Sequence, residues 1–77
     1  MKPIRIRFCK VCASYQPRAA RVAELIKQEL GIQPELVEGD RGEFTVWVGD
    51  RMVAKKGWVR FPQDKKVLSA VQQALTG

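Results

Sequence analysis

The sequence contains no histidine, and that absence removes whole classes of chemistry. A Ser-His or Cys-His catalytic pair cannot be assembled, nor can a zinc site with histidine ligands. Only two cysteines are present, so the chain offers two thiolates where a structural zinc site needs four nitrogen or sulfur ligands. Long hydrophobic runs are also missing, and none approaches the roughly 20 apolar residues that cross a bilayer. The opening MKPIRIRF carries positive charge but lacks the ~7–15-residue apolar stretch of a secretory signal. The expectation is a soluble, cytoplasmic protein. In that compartment thiols are held reduced, and a CxxC pair is more often catalytic or metal-binding than structural.

What is present fits one small globular domain, residues 1–77. Its length of 77 residues allows one modest core, and an apolar share of 45% is ordinary for a folded chain. Fourteen Lys and Arg against eight Asp and Glu give a net charge of +6. That balance suits either solubility or an anionic partner.

The residue pattern predicts the element order β-α-β-β-β-α. IRIRF alternates Ile4, Ile6 and Phe8 with Arg5 and Arg7, the period of a half-buried strand. After Cys9 and Cys12, Pro17 suits a first helical turn. Ala19, Val22, Ala23, Ile26 and Leu30 then recur at helical spacing until Gly31 stops the helix. Pro34 to Glu38 reads as a short strand and EGDRG as a turn. Phe44, Val46 and Val48 alternate with Thr45 and Trp47 in a third strand. Gly49-Asp50 signals a hairpin into RMVAKK. After the loop GWVRFPQD, Asp64 is a candidate cap for a last helix with Val67, Leu68, Val71 and Leu75 on its stripe.

The first β-α-β should be a right-handed parallel unit. Strands lie about 4.8 Å apart, so the EGDRG turn is long enough to hop over one strand and give the sheet order 2-1-3-4. A simple meander is the alternative. Both helices would cover one face, leaving Arg5, Arg7, Thr45 and Trp47 together on the other. With the 2-1-3-4 order, the CxxC pair, the glycine-bearing loop, Lys55, Lys56 and Trp58 reach the same edge of the sheet.

Three readings of Cys9 and Cys12 are open on the residues. A structural disulfide across so short a loop gains less than about 2 kcal/mol on the chain-entropy model. A zinc clamp would need further ligands from carboxylates or a second chain; no metal is expected. A redox pair suits the surroundings best, because a helix N-terminus follows the motif, Lys10 sits inside it, and Lys55 and Lys56 are expected nearby. All of these favour the thiolate, the reactive form.

Other side chains carry weaker readings. Trp58 and Phe61 either line a shallow substrate pocket or cover the end of the core, and Tyr15 is placed to shield the pair. Glu38, Asp40 and Glu43 are either solvated turn residues or include a proton acceptor for a thiol, with no spacing to select which. Arg5, Arg7 and Trp47 on the open face suit a protein partner, a dimer contact or a cation–π pair. Nucleic acid fits less well, since one aromatic is too few for a stacking platform.

Nearly the whole chain resembles the selenoprotein W-like group of the Rdx family, thioredoxin-like proteins that include selenoproteins W, T and H. The residues that carry the resemblance are FCKVC, PRAARVAELIKQEL, the hairpin GEFTVWVGDRMVAKK and the RFP before the last helix. The resemblance implies a thioredoxin-like fold and thiol redox activity, with glutathione as co-substrate and no bound cofactor. It aligns Cys12 with the selenocysteine of selenoprotein W and so assigns Cys12 the attack and Cys9 the resolving step. Ordinary thioredoxin logic favours Cys9 instead. Two features depart from the pattern. The segment ASYQP runs a residue longer than usual, and EGDRGEF lacks the proline that thioredoxins place opposite their CxxC, a role Pro62 does not fill.

The expected function is disulfide exchange through Cys9 and Cys12 with glutathione or protein thiols, as a thiol–disulfide oxidoreductase. The alternatives are a redox-regulated binding module without turnover and a basic nucleic-acid-binding domain.

Overall fold

In β1 (Ile4–Phe8) the alternating side chains Ile4, Ile6 and Phe8 are buried, while Arg5 and Arg7 lie on the other face. The computed structural model describes residues 3–56 and 63–76. Within them follow α1 (Tyr15–Leu30), β2 (Glu35–Glu38), β3 (Phe44–Val48), β4 (Arg51–Lys55) and α2 (Asp64–Thr76). The sheet order is β2-β1-β3-β4, as the hop over one strand predicts and the meander does not. β1 pairs parallel to β2 and antiparallel to β3, and β3 pairs antiparallel to β4.

The two helices share one face of the sheet. Ala19, Val22, Ala23 and Ile26 of α1 and Val67 and Val71 of α2 form a single core with Ile4, Ile6, Phe8, Phe44, Val46 and Val48. Leu30, Leu68 and Leu75 pack at its margin. This is the apolar stripe the periodicity specifies, with its flanks half covered.

Element ends follow local chemistry, with three adjustments. The helix begins at Tyr15, two residues before Pro17. Proline marks the first turn, whose N–H groups have no intrahelical partner, and not necessarily its first residue. Gly31 ends α1 with a positive φ of 71°, and its N–H reaches the Lys27 carbonyl at 2.9 Å. β2 starts at Glu35, leaving Pro34 outside the ladder it cannot donate to. Asp64 is the first residue of α2, and the Gln63 carbonyl accepts the Val67 N–H at 3.0 Å. The Asp64 carboxylate instead faces Arg21 of α1 at 3.3 Å.

The hairpin turns at Gly49, with φ 61°, whose N–H reaches the Pro3 carbonyl at 2.8 Å. β4 then carries a bulge. Val46 opposes Ala54 while Trp47 opposes Met52, so Val53 is an extra residue in the strand. Among the described residues no helix is long and apolar enough to cross a membrane.

Candidate redox site

Antiparallel pairing sets the end of β1 beside the start of β3, with Phe8 opposite Phe44, and Cys9 is the first residue past the end of β1. Its backbone N–H donates to the Glu43 carbonyl at 2.9 Å, which extends the ladder by one bond. Cys9 is 1% exposed, whereas Cys12 is half-buried. The chain between them folds back so that the Cys12 thiol donates to the Cys9 sulfur at 2.6 Å. Both are free thiols, and a small closing movement would bring them to the S–S distance of about 2.05 Å. Val11 stands at the tip of this turn, 77% exposed.

The two thiols are shifted in opposite directions from their ordinary value of 9.0. Cys9 is lowered, first by the hydrogen bond from Cys12 and then by the Gly42 N–H, against the opposing effect of burial; the N–H groups of Val11 and Cys12 add to the lowering. Cys12 is raised, first because it donates that proton toward Cys9 and then by burial. The Gly42 N–H and the Arg41 charge oppose this. Of the two, Cys9 is the sulfur that loses its proton first, with Cys12 as its hydrogen-bond donor.

The expected helix effect takes a different form. The first helical N–H, that of Tyr15, is given to the Cys12 carbonyl at 3.0 Å. The donors directed at the sulfurs come from the CxxC backbone and from Gly42 in the facing loop. Gly42 has φ 78°, a conformation that side-chain-bearing residues rarely adopt.

A shallow groove of about 380 Å³ opens beside the pair, lined by Cys9, Lys10, Val11, Glu38, Gly39 and Arg41. Lys10 and Arg41 bring two positive charges to its lining against the one negative charge of Glu38. The structure therefore brings Cys9, Cys12 and Lys10 together and adds Arg41 and Gly42, which the sequence reading did not select. The two lysines of β4 part company. Lys55 opposes Thr45 and shares the open face with it, while the Lys56 N–H donates to the Phe44 carbonyl at 2.8 Å. The Lys56 ammonium lies 5.9 Å from the centre of the Tyr15 ring, beside the CxxC turn. Trp58 and Phe61 lie outside the described residues. Among the described residues no group of three or more acidic or thiol side chains could hold a metal ion.

On the open face, Arg5 pairs with Glu35 at 3.3 Å and Arg7 with Glu43 at 3.5 Å. The Trp47 indole N–H donates to the Thr45 hydroxyl at 2.9 Å, and that hydroxyl donates to Glu43 at 2.7 Å. Arg5, Arg7 and Trp47 line a shallow depression of about 220 Å³ with Gly49 and Asp50.

The architecture and sequence have relatives. A crystal structure of a selenoprotein W-related protein from Vibrio cholerae superposes with a TM-score of 0.80 at 18% identity, covering 95% of each chain. The fold is that thioredoxin-like fold. No curated protein matches the chain. The Rdx family matches over residues 3–73, nearly its full length. On that match, this chain belongs to the Rdx family.

Proposed function

We propose that the chain is a thiol–disulfide redox protein whose Cys9 and Cys12 exchange disulfides with glutathione or with protein thiols. The observation that carries this is the approach of the two sulfurs to 2.6 Å at the side of an open groove whose lining includes Lys10 and Arg41. Membership of the Rdx family supports it. So does the match in charge between Lys10 and Arg41 and the carboxylates of glutathione. A cytoplasmic setting goes with this reading, because exchange needs a pool that returns the pair to its reduced state.

The chemistry balances without a cofactor. Cys12, the more accessible thiol, attacks one sulfur of an incoming disulfide as its proton passes to Cys9, the acceptor of its hydrogen bond. A mixed disulfide forms on Cys12 and one thiolate leaves, taking up the proton that Cys9 now carries. The Cys9 thiolate attacks the Cys12 sulfur, the internal disulfide closes, and the second thiolate leaves. The Cys9 thiolate and the Cys12 thiol have been oxidised to a disulfide, and the incoming disulfide has been reduced to a thiol and a thiolate, which takes up from solvent the proton Cys9 released on ionising.

A glutathione redox titration, read by alkylation and mass, tests this. The expected result is a reversible Cys9–Cys12 disulfide, or a glutathione adduct on one cysteine, with a midpoint within roughly −220 to −320 mV. Thiols that stay inert throughout, or that react only after zinc is stripped from the protein, would overturn the reading.

A second reading draws on the bonded chain from Cys9 through Glu43 and Thr45 to Trp47. In it the oxidation state of the pair sets the shape of the open face for a protein partner, and no substrate is turned over. Cys12→Ser separates the two. Lost reductase activity with intact partner binding favours the enzyme, and binding that no longer follows redox state favours the switch.

A further inference from the structure

The loop that faces the thiols is built around one carboxylate. Its two ends are stitched to the end of β1, with the Gly39 N–H on the Phe8 carbonyl at 2.8 Å and the Cys9 N–H on the Glu43 carbonyl at 2.9 Å. Between these stitches the loop closes on itself twice. The Glu43 N–H donates to the Asp40 carbonyl at 3.0 Å, and the Asp40 N–H donates to Glu43 Oε1 at 2.7 Å. The other carboxylate oxygen, Oε2, accepts the Thr45 hydroxyl at 2.7 Å and faces Arg7 Nε at 3.5 Å. Gly39 makes room for the group, because a β-carbon there would stand 2.6 Å from Glu43 Oε1.

This arrangement decides what Glu43 can do. Both of its oxygens are engaged. Burial pushes its pKa up, but the Asp40 N–H, the Thr45 hydroxyl and Arg7 together carry it below its ordinary value. A carboxylate so held is a poor proton acceptor for a thiol. What it does instead is fix the only two residues left between its anchor points, Arg41 and Gly42, both of which face the sulfurs.

We propose that Glu43 is a positioning residue for the thiol pair: its carboxylate locks the Gly39–Gly42 loop so that the Gly42 N–H is directed at Cys9 and Cys12. The proposal rests on the redox reading only in taking those two cysteines as the reacting pair. The charged groups around the sulfurs are Lys10, Arg41 and Glu38, which all line the groove, with Lys56 reaching the neighbouring Tyr15 ring. Glu43 acts on the thiols through the loop and not as a further charge beside them.

The test is the pH profile of iodoacetamide alkylation of the reduced protein, with modified sites located by mass. Wild type, Glu43→Ala, Glu43→Gln and Thr45→Val are compared, and circular dichroism checks that each is folded. Glu43→Ala should raise the midpoint of the first-reacting thiol by about one pH unit, which slows alkylation at pH 7 about tenfold. Glu43→Gln keeps a carbonyl oxygen for the Asp40 N–H and should recover part of that loss. Thr45→Val removes one support on the solvent side of the sheet and should shift the midpoint the same way by less, and it carries the test should Glu43→Ala not fold. Folded variants that keep the wild-type profile would overturn the proposal. So would a midpoint that falls, the result of merely deleting a nearby negative charge. The alkylation profile reads the thiols without any disulfide substrate. A wild type inert to glutathione with a shifted Glu43→Ala profile would therefore sink the redox reading and leave the positioning role standing.

Discussion

Gly39→Ala should destabilise the protein, although nothing about its backbone demands glycine. Its φ is not in the left-handed region occupied by Gly31, Gly42 and Gly49. At such a position alanine would ordinarily stabilise by about 0.4–1 kcal/mol, by narrowing the unfolded ensemble. Here the new β-carbon would sit 2.6 Å from Glu43 Oε1 and 3.2 Å from the Phe8 nitrogen. The carboxylate is the part able to move, and in moving it gives up its bonds to the Asp40 N–H and the Thr45 hydroxyl, each 2.7 Å long. Hydrogen bonds to a charged group contribute about 1.5–3 kcal/mol. Taking the lower half of that range for a partly solvated loop gives roughly 3–4.5 kcal/mol for the two bonds, and subtracting the entropic gain leaves a net loss of about 3 kcal/mol. In a domain of this size that corresponds to a Tm lower by roughly 12–24 °C. The decisive assay is a double-mutant cycle by thermal or urea denaturation. With Glu43 already replaced by alanine the 2.6 Å clash is gone and only the 3.2 Å approach to the Phe8 nitrogen remains, so most of the cost of Gly39→Ala should disappear. Additivity of the two changes to within ~0.5 kcal/mol would refute the packing argument, since coupled sites depart from additivity by more than that.

Two further outcomes follow from the titrating groups. Glu43 has a folded pKa below its ordinary 4.5, so its stabilisation is fully present above that pH and is lost as pH falls through the folded value. Urea unfolding of wild type and Glu43→Gln should therefore give stabilities that differ at pH 7 and converge in acid; parallel curves down to pH 2 would contradict the assignment. Cys9 is shifted below and Cys12 above 9.0. Thiolate absorbance should accordingly rise in two steps on either side of that pH, values that belong to the pair as a unit. A single step at 9.0 would mean that the sulfurs do not share a proton in solution.

How far the sequence carries depends on whether a feature is local. Ile4, Ile6 and Phe8 announce their strand because one buried face imposes a period of two, and the α1 stripe announces itself by the helical period. The 2-1-3-4 order was also legible, because a five-residue turn after a parallel unit has few places to go. Pro17 located the first turn of α1 but not its first residue, since proline is tolerated at several positions there. The bulge at Val53 left no mark, as no glycine or proline accompanies it. It disturbs the alternation of β4 all the same. At the site, Cys9, Cys12 and Lys10 are neighbours in sequence and were found together. Arg41, Gly42 and the anchoring role of Glu43 become visible only when the loop is set against the end of β1, more than 30 positions earlier in the numbering. Lys55 and Lys56 look equivalent in sequence, yet adjacent strand residues point to opposite faces, and only Lys56 reaches the CxxC side.

The bulge bears on how copies of this protein behave beside one another. Among the described residues β4 is an outer strand, and its flank is a row of backbone groups of the kind that ordinary ladder pairing extends. With Val53 inserted, the spacing of those groups is broken midway along a five-residue strand, and Arg51 and Lys55 place a positive charge at each end. A neighbouring strand finds no continuous template and meets repulsion at both ends, so this border of the sheet resists fibrillar stacking with no covering element needed among the described residues.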